Sequence, residues 1–429
     1  MKSLLSAVCC LLSLPATAET LTLQQALTRA LQVNNTIERA RAEVNVVDQS
    51  RRQLLSAVMP RITTSGAATR NSEEVAFGSG EDARTVLPRN DWNYRVVLSQ
   101  PIYAGRREFR AYSQAKLGVE NAREAERGTE DAVLLRVASN YQAVVDADAR
   151  LDVEKKNMEL AESRRKQAQA FYEAGEVTKV DVLRAETAIK AAQRQMAIAQ
   201  QSRQLAVSML RQDLDLDGDI DVARPERPLP ALPVQTELEQ RAEASRPDVM
   251  AARNNLTIAN LEVKKQRGFW LPTVTFDGGW VNQKSSFPAS KYSYGALRFN
   301  IPLLQSGEVE ARVAQAKERE KQAQLALEDA KTIAREDVRK ALIDLRTAET
   351  ALGLANEQLA AAQAEYQQSF ELYRAQEATS LDVASSETAL ADARRAVAEE
   401  TLNRDLAALR VWYAAGDIKP ALGLTGESK

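Results

Sequence analysis

Between residues 338 and 373 an apolar side chain returns at every seventh position: Val338, Leu345, Leu352, Leu359, Tyr366 and Tyr373. Ala341, Ala348, Ala355 and Ala362 follow the same rhythm three places on. An equivalent stripe lies earlier in the chain, with Val137, Val144, Leu151 and Met158 beside Ala147, Ala161 and Ala168. A seven-residue apolar repeat is the seam of a coiled coil, and small alanines let neighbouring helices approach closely. A solvated single helix would leave that stripe in water. The pattern predicts very long helices over about 106–173 and 308–374, each followed by a break and a further helix, over about 181–211 and 382–413. About 70 residues at 1.5 Å each make a rod of roughly 100 Å. A shorter amphipathic helix is expected ahead of each rod, over about 23–57 and 237–268.

A period of two replaces this pattern between the helices. Trp92, Tyr94, Val96 and Leu98 alternate with Asn93, Arg95, Val97 and Ser99. Val274, Phe276 and Trp280 alternate with Thr273, Thr275 and Asp277, and Gly295, Leu297, Phe299 and Ile301 with Tyr294, Ala296, Arg298 and Asn300. Residues 61–68 alternate more weakly. One apolar and one polar face is the mark of a half-buried strand. Two settings suit it: a membrane barrel with the apolar face to lipid, or a soluble two-sheet cap on a coiled coil. The barrel makes Trp92, Tyr94, Val96, Leu98, Val274, Phe276, Trp280, Leu297, Phe299 and Ile301 lipid-facing. The polar stretches 71–90 and 283–291, with Gly78, Gly80 and Pro288, suit exposed outer loops. Four strands cannot close a barrel, and an open sheet edge is not tolerated in lipid. Spanning a membrane therefore requires several chains to share one barrel.

The chain is an internal tandem duplication. FYEAGEVTKVDVLRAETAI, starting at Phe171, matches LYRAQEATSLDVASSETAL, starting at Leu372. Tyr172 and Tyr373 stand 201 residues apart, as do Asp181 and Asp382, Glu186 and Glu387, and Pro101 and Pro302. At the front of each copy the spacing is 212, from Ala40-Arg41 to Ala252-Arg253 and from Pro60 to Pro272. The expected division is 1–18 as signal peptide, 19–212 as first repeat, 213–234 as polar, proline-rich linker, 235–416 as second repeat and 417–429 as tail. The seam reads DLDLDGDIDVAR from Asp213 and imitates a calcium loop. Its twelfth place holds Arg224 where a bidentate glutamate is needed, and the prolines from Pro225 to Pro233 replace the exiting helix. It reads as a solvated linker.

Composition narrows the function. The formal net charge of −2 gives no electrostatic footprint for nucleic acid. There is no histidine, hence neither the commonest general base nor the commonest metal ligand. Both cysteines, Cys9 and Cys10, lie in a segment with Lys2 as charged start, an apolar run from Leu4 to Leu14 and a cleavage site at Ala16-Thr17-Ala18. Cys9 sits too early, inside the apolar run, for a lipid anchor. The exported chain is expected to lack cysteine and any apolar run of the roughly 18 to 20 residues that a spanning helix needs. No GxxxxGK nucleotide loop and no clustered catalytic set occurs, so neither an enzyme nor a cofactor is expected.

The duplicated helix–strand–strand–helix order resembles the TolC-like outer membrane channels of efflux and type I secretion systems, across nearly the whole mature chain. The resemblance rests on the strand exit Gln100-Pro101-Ile102-Tyr103-Ala104-Gly105 with its counterpart from Ile301 to Gly307, on the break carrying Tyr172, Gly175 and Asp181-Val182, and on the opening TLQQALTRAL. It implies a mixed α and β, mostly α fold: a long antiparallel coiled-coil helical barrel, plus four strands per chain in a 12-stranded transmembrane barrel of a homotrimer. It further implies a bacterial outer membrane location, with the helical tunnel projecting into the periplasm. Partners would be outer membrane lipid, a periplasmic adaptor and an inner-membrane pump of RND, ABC or MFS type. Function would be passive export of drugs or small toxic compounds, with protein secretion as alternative; a soluble periplasmic scaffold is the reading from another class. The resemblance places Asp382, Tyr373, Asp181, Tyr172 and Ser385 at a gate in the periplasmic tip, and Gly175, Glu176, Gln376 and Glu377 at the adaptor-docking surface. Ser385 stands where the family has a second aspartate and Ala378 where it has a latch arginine.

Overall fold

A computed structural model describes residues 20–78, 80, 84–218, 220–223, 229–285, 289–375 and 377–424. The expected signal peptide, Arg224, Pro288 and Gln376 lie outside the described residues.

The heptad stripes become α3 (Arg107–Glu173) and α7 (Glu308–Arg374), each 67 residues long. After the breaks follow α4 (Lys179–Leu214) and α8 (Ser380–Ala414). The shorter helices correct the expectation. Each repeat opens with two: α1 (Leu23–Val33) and α2 (Asn35–Leu55), then α5 (Gln235–Ser245) and α6 (Pro247–Arg267). The interruptions fall at Asn34 and Arg246, themselves 212 residues apart. Asn34 leaves the helix at ψ 117°; its Nδ2 donates to the Asp213 carbonyl at 3.2 Å and its Oδ1 accepts from the Thr36 amide at 3.0 Å. Arg246 precedes Pro247, whose ring drives the preceding residue to extended backbone, here ψ 133°, and then starts the next helix. A short α9 (Ile418–Ala421) closes the described chain. No described helix is long and apolar enough to cross a membrane.

The chain forms two compact units, and neither is a sequence repeat. The first comprises Met1–Glu38, Thr129–Ala242 and Ala334–Lys429; the second comprises Arg39–Gly128 and Glu243–Ile333. In the first unit Leu27, Ile37, Leu134, Val137, Leu210, Leu214, Leu409 and Ile418 share one core. Tyr141 is buried in it, its hydroxyl 2.8 Å from the Leu21 carbonyl and 2.5 Å from that of Ala223; burial pushes the phenol up to about 12. Leu21 and Val222 form a parallel bridge. The seam is thus packed at both ends. α4 runs on to Leu214, so Asp213 is helical and buried, its carboxylate taken by Arg136 Nε and Asn140 Nδ2, both at 2.8 Å.

The second unit holds a four-stranded antiparallel sheet of β1 (Arg61–Arg70), β4 (Asn90–Ala104), β5 (Thr273–Gln283) and β6 (Lys291–Asn300), in that order. The stretch expected as plain loop between the first two carries a ribbon, β2 (Val75–Phe77) paired with β3 (Arg84–Leu87). The register pairs Val96 with Thr64 and Trp280, Leu98 with Ile62 and Gly278, Phe276 with Leu297 and Val274 with Phe299. Opposed residues in antiparallel strands share a face. Trp92, Tyr94, Val96, Leu98, Val274, Phe276, Trp280, Leu297 and Phe299 therefore fall on one side of the sheet, and the rings of Tyr94 and Trp280 meet edge-on at 6.0 Å. The other face carries Asn93, Arg95, Asp277 and Arg298, with Arg298 Nε 3.1 Å from Asp277. Ile301 is the exception: β6 ends at Asn300, so Ile301 is not a strand residue here. Among the described residues Ile301 has no strand partner.

Each strand exit needs two successive left-handed residues, Gly105-Arg106 and Ser306-Gly307. At the first, a Cβ on Gly105 would stand 2.3 Å from the Gly268 carbonyl oxygen, so that backbone approach requires glycine.

Candidate functional site

The helix breaks 174–178 and 375–379 bring the duplicated motif to a folded result. In both copies a threonine caps the next helix and an aspartate three places on completes a capping box: Thr178 with Asp181, and Thr379 with Asp382. The Thr178 amide donates to Asp181 at 3.0 Å and the Thr379 amide to Asp382 at 2.8 Å. The aspartates therefore sit inside the first turn, not at the cap, which corrects the reading that each begins its helix. The side-chain bond from Thr379, and then its amide, hold the exposed Asp382 carboxyl below its ordinary 3.8. Such a group adds stability above that ordinary value and loses it as pH falls through the lowered one. Thr379→Ala should speed amide exchange in the first turn of α8 about fivefold, the size of a lost cap, and acid below the ordinary carboxylate range should do the same to the wild type. Unchanged hydrogen exchange at Asp382 and Val383 would contradict both.

The two copies then diverge. Asp181 is enclosed. The Ser380 hydroxyl donates to it in a very short bond, Arg184 Nη1 lies 3.5 Å away, and the same Arg184 nitrogen donates to Ser380 Oγ at 3.0 Å. Burial raises its carboxyl, but the bonds from Ser380 and Thr178 outweigh this and leave it lowered. Tyr373 lines the same small pocket with Arg164 and Glu387. Its ring stands 6.2 Å from that of Phe171 and 5.8 Å from the Arg164 guanidinium. Burial first, then the Asp181 charge, raise its phenol. Arg164 also lies 3.5 Å from Glu387, whose carboxyl burial pushes up against that partner.

Of the residues expected at a gate, the structure thus joins Asp181 and Tyr373. Asp382 stands apart on the surface, as do Tyr172 and Ser385. Gly175, at φ +76°, turns the chain, and its amide donates to the Tyr172 carbonyl at 3.0 Å. Glu176 and Glu377 are exposed on the two turns. Arg164, Arg184, Ser380 and Phe171 escaped the sequence reading. Glu387 alone left a signal, because it opens the Glu-Thr-Ala motif that both copies carry.

A family model described as outer membrane efflux protein matches residues 26–214 and 238–417. The chain belongs to that family. This efflux protein is 25% identical over 385 residues to the outer membrane efflux protein BepC of Brucella suis biovar 1 (strain 1330), covering 87% of this chain and 80% of BepC. Its fold is that of CusC (TM-score 0.79, 19% identity, 92% of each chain), of the open-state MtrE channel of Neisseria gonorrhoeae (0.76, 18%, 92% of this chain and 89% of that one) and of the CmeC channel of Campylobacter jejuni (0.74, 17%, 92% and 86%). It is an outer membrane transport protein, and not an enzyme.

Proposed function

We propose that this efflux protein is the passive exit duct of a tripartite export system, working as a homotrimer whose copies pool their strands into one 12-stranded barrel. One observation carries this. The strands repeat as the sequence does: β4 and β6 begin 201 residues apart, and β1 and β5 begin 212 apart. Yet β4 continues to Ala104, while β6 stops at Asn300, short of the equivalent Gln305. The continuation of β4 is paired to β5, with a bulge between Pro101 and Tyr103. Its counterpart from Ile301 to Gln305 is paired with no described strand, with Leu303 89% and Leu304 85% exposed. β1, the counterpart of β5, is exposed throughout. Joining β6 of one copy to β1 of the next in the same register sets Ile301 against Thr64, Leu304 against Ile62 and Gln305 against Arg61, and leaves no edge facing lipid. Ile301 then rejoins the apolar face with the other lipid-facing positions.

The tip carries the gate residues Asp382, Tyr373, Asp181, Tyr172 and Ser385. The turns with Gly175, Glu176, Gln376 and Glu377 receive a periplasmic adaptor, beyond which an inner-membrane pump supplies the energy. The cargo is small toxic compounds, a reading that the efflux name of BepC supports. Light scattering of the purified protein in detergent should give three copies per particle. A deletion strain should become more susceptible to several unrelated drugs, with its secreted proteins unchanged. Lost protein secretion with normal susceptibility would move the duct to type I secretion, and a chain in the soluble periplasmic fraction would end the duct reading.

A further inference from the structure

The contact between the two repeats inside one chain has a second set of equivalent positions that one chain leaves unused. In the first unit α3 meets α8 through polar pairs. Gln142 Nε2 donates to Asp405 at 2.9 Å, Arg395 Nε to Glu154 at 2.6 Å and Arg394 Nη1 to Asn157 Oδ1 at 3.1 Å. Moving each partner by 201 residues turns α3 into α7 and α8 into α4. On α7 one matching place carries a bare apolar side chain, and on α4 one lies beside Gln204, the counterpart of Asp405. Ile343, counterpart of Gln142, is 60% exposed, and Leu205 is 58% exposed although its counterpart Leu406 packs against the core. A second copy of this chain that repeated the internal contact would cover them.

At the tip the same shift is specific. It carries Asp181 to Asp382, Ser380 to Lys179, Tyr373 to Tyr172 and Arg184 to Ser385. Inside the chain Asp181 is closed in by Ser380, Tyr373 and Arg184. Asp382 has its capping threonine but forms no ion pair among the described residues, and Ser385 stands in the place of Arg184. Lys179 is exposed and forms no ion pair among the described residues, and Tyr172 is exposed beside the same turn. We propose that Asp382 of each copy is fastened by the Lys179 ammonium and the Tyr172 ring of the next copy, which take the places that Ser380 and Tyr373 occupy around Asp181. The ammonium replaces both the missing guanidinium and the serine hydroxyl with one charge-assisted bond. Three such pairs tie the copies into a ring at the tip. This rests on the trimeric reading above.

The described residues contain no cysteine, which makes cross-linking clean. The full-length double variant Lys179→Cys/Asp382→Cys, purified in detergent and treated with a short bismaleimide, should lose its monomer band to a covalent trimer on a denaturing gel, while each single variant stays monomeric. Light scattering of the same sample separates the two ways of failing. A three-copy particle without covalent adduct overturns the tip contact and leaves the trimer standing; a one-copy particle removes the trimeric reading itself. In cells, Lys179→Asp and Asp382→Lys should each raise susceptibility to large antibiotics, and the exchanged pair Lys179→Asp/Asp382→Lys should return it towards wild type. No recovery by an exchanged pair that is present at normal levels in the membrane also overturns the contact.

Discussion

Val96→Arg is expected to eliminate the assembled protein from the outer membrane, whereas Val97→Arg, one residue on, is expected to leave it there. Val96 sits mid-strand on the apolar face, between Thr64 and Trp280. An arginine at the middle of the lipid face of a barrel costs about 2–4 kcal/mol. The trimer proposed above carries it three times, so the total rivals the whole stability of an ordinary domain, about 5–15 kcal/mol. Val97 points to the opposite, polar face between Thr63 and Gly279, where Arg95 and Arg298 already stand. Membrane fractionation with an immunoblot checks the pair. Equal abundance of the two variants would show that the apolar face does not meet lipid.

The second large effect belongs to the helices. Glu154 is 5% exposed, and its two oxygens receive Arg395 Nε at 2.6 Å and Nη2 at 3.3 Å. Arg395→Ala leaves that carboxylate buried with Asn157 Nδ2, 3.3 Å away, as remaining donor. Breaking a buried pair from one side costs about 3 kcal/mol. The thermal midpoint followed by circular dichroism should fall, and adding Glu154→Gln should recover part of the loss, since an uncharged amide costs less to bury than an unpaired charge. If both variants melt with the wild type, the pair contributes nothing to holding α3 against α8.

The parts of the fold that were legible are those written in local periodicity. Val338, Ala341, Leu345, Ala355 and Ala362 are buried as the heptads require, while most of their neighbours on α7 face outwards. The nine alternating apolar positions within β4, β5 and β6 share a face because strand geometry allows no other outcome once the register is set. The breaks at Asn34 and Arg246 were legible in principle, from Asn34-Asn35 and from Pro247, but the amphipathic pattern runs through them and hid them. Ile301 had the right alternation and the wrong surroundings, since pairing depends on a neighbour that the sequence does not display. The pocket around Tyr373 was half visible. Asp181 and Tyr373 stood in a repeated motif, but Arg164 meets Glu387 across 223 positions of chain, and only packing brings them together.

The interleaved units have a consequence for biogenesis. Leu27, near the start of the described residues, shares a core with Ile418 and Leu422 near their end, and Lys419 pairs with Glu130 at 2.6 Å. A nascent polypeptide therefore cannot finish the first unit before Ile418 has emerged, nor the second before Ile333 has. Contacts so distant in sequence form slowly and leave apolar surface uncovered meanwhile. The half-delivered chain is a client for holding chaperones, and a stop codon ahead of Ile418 would yield a degraded polypeptide, not a shortened channel.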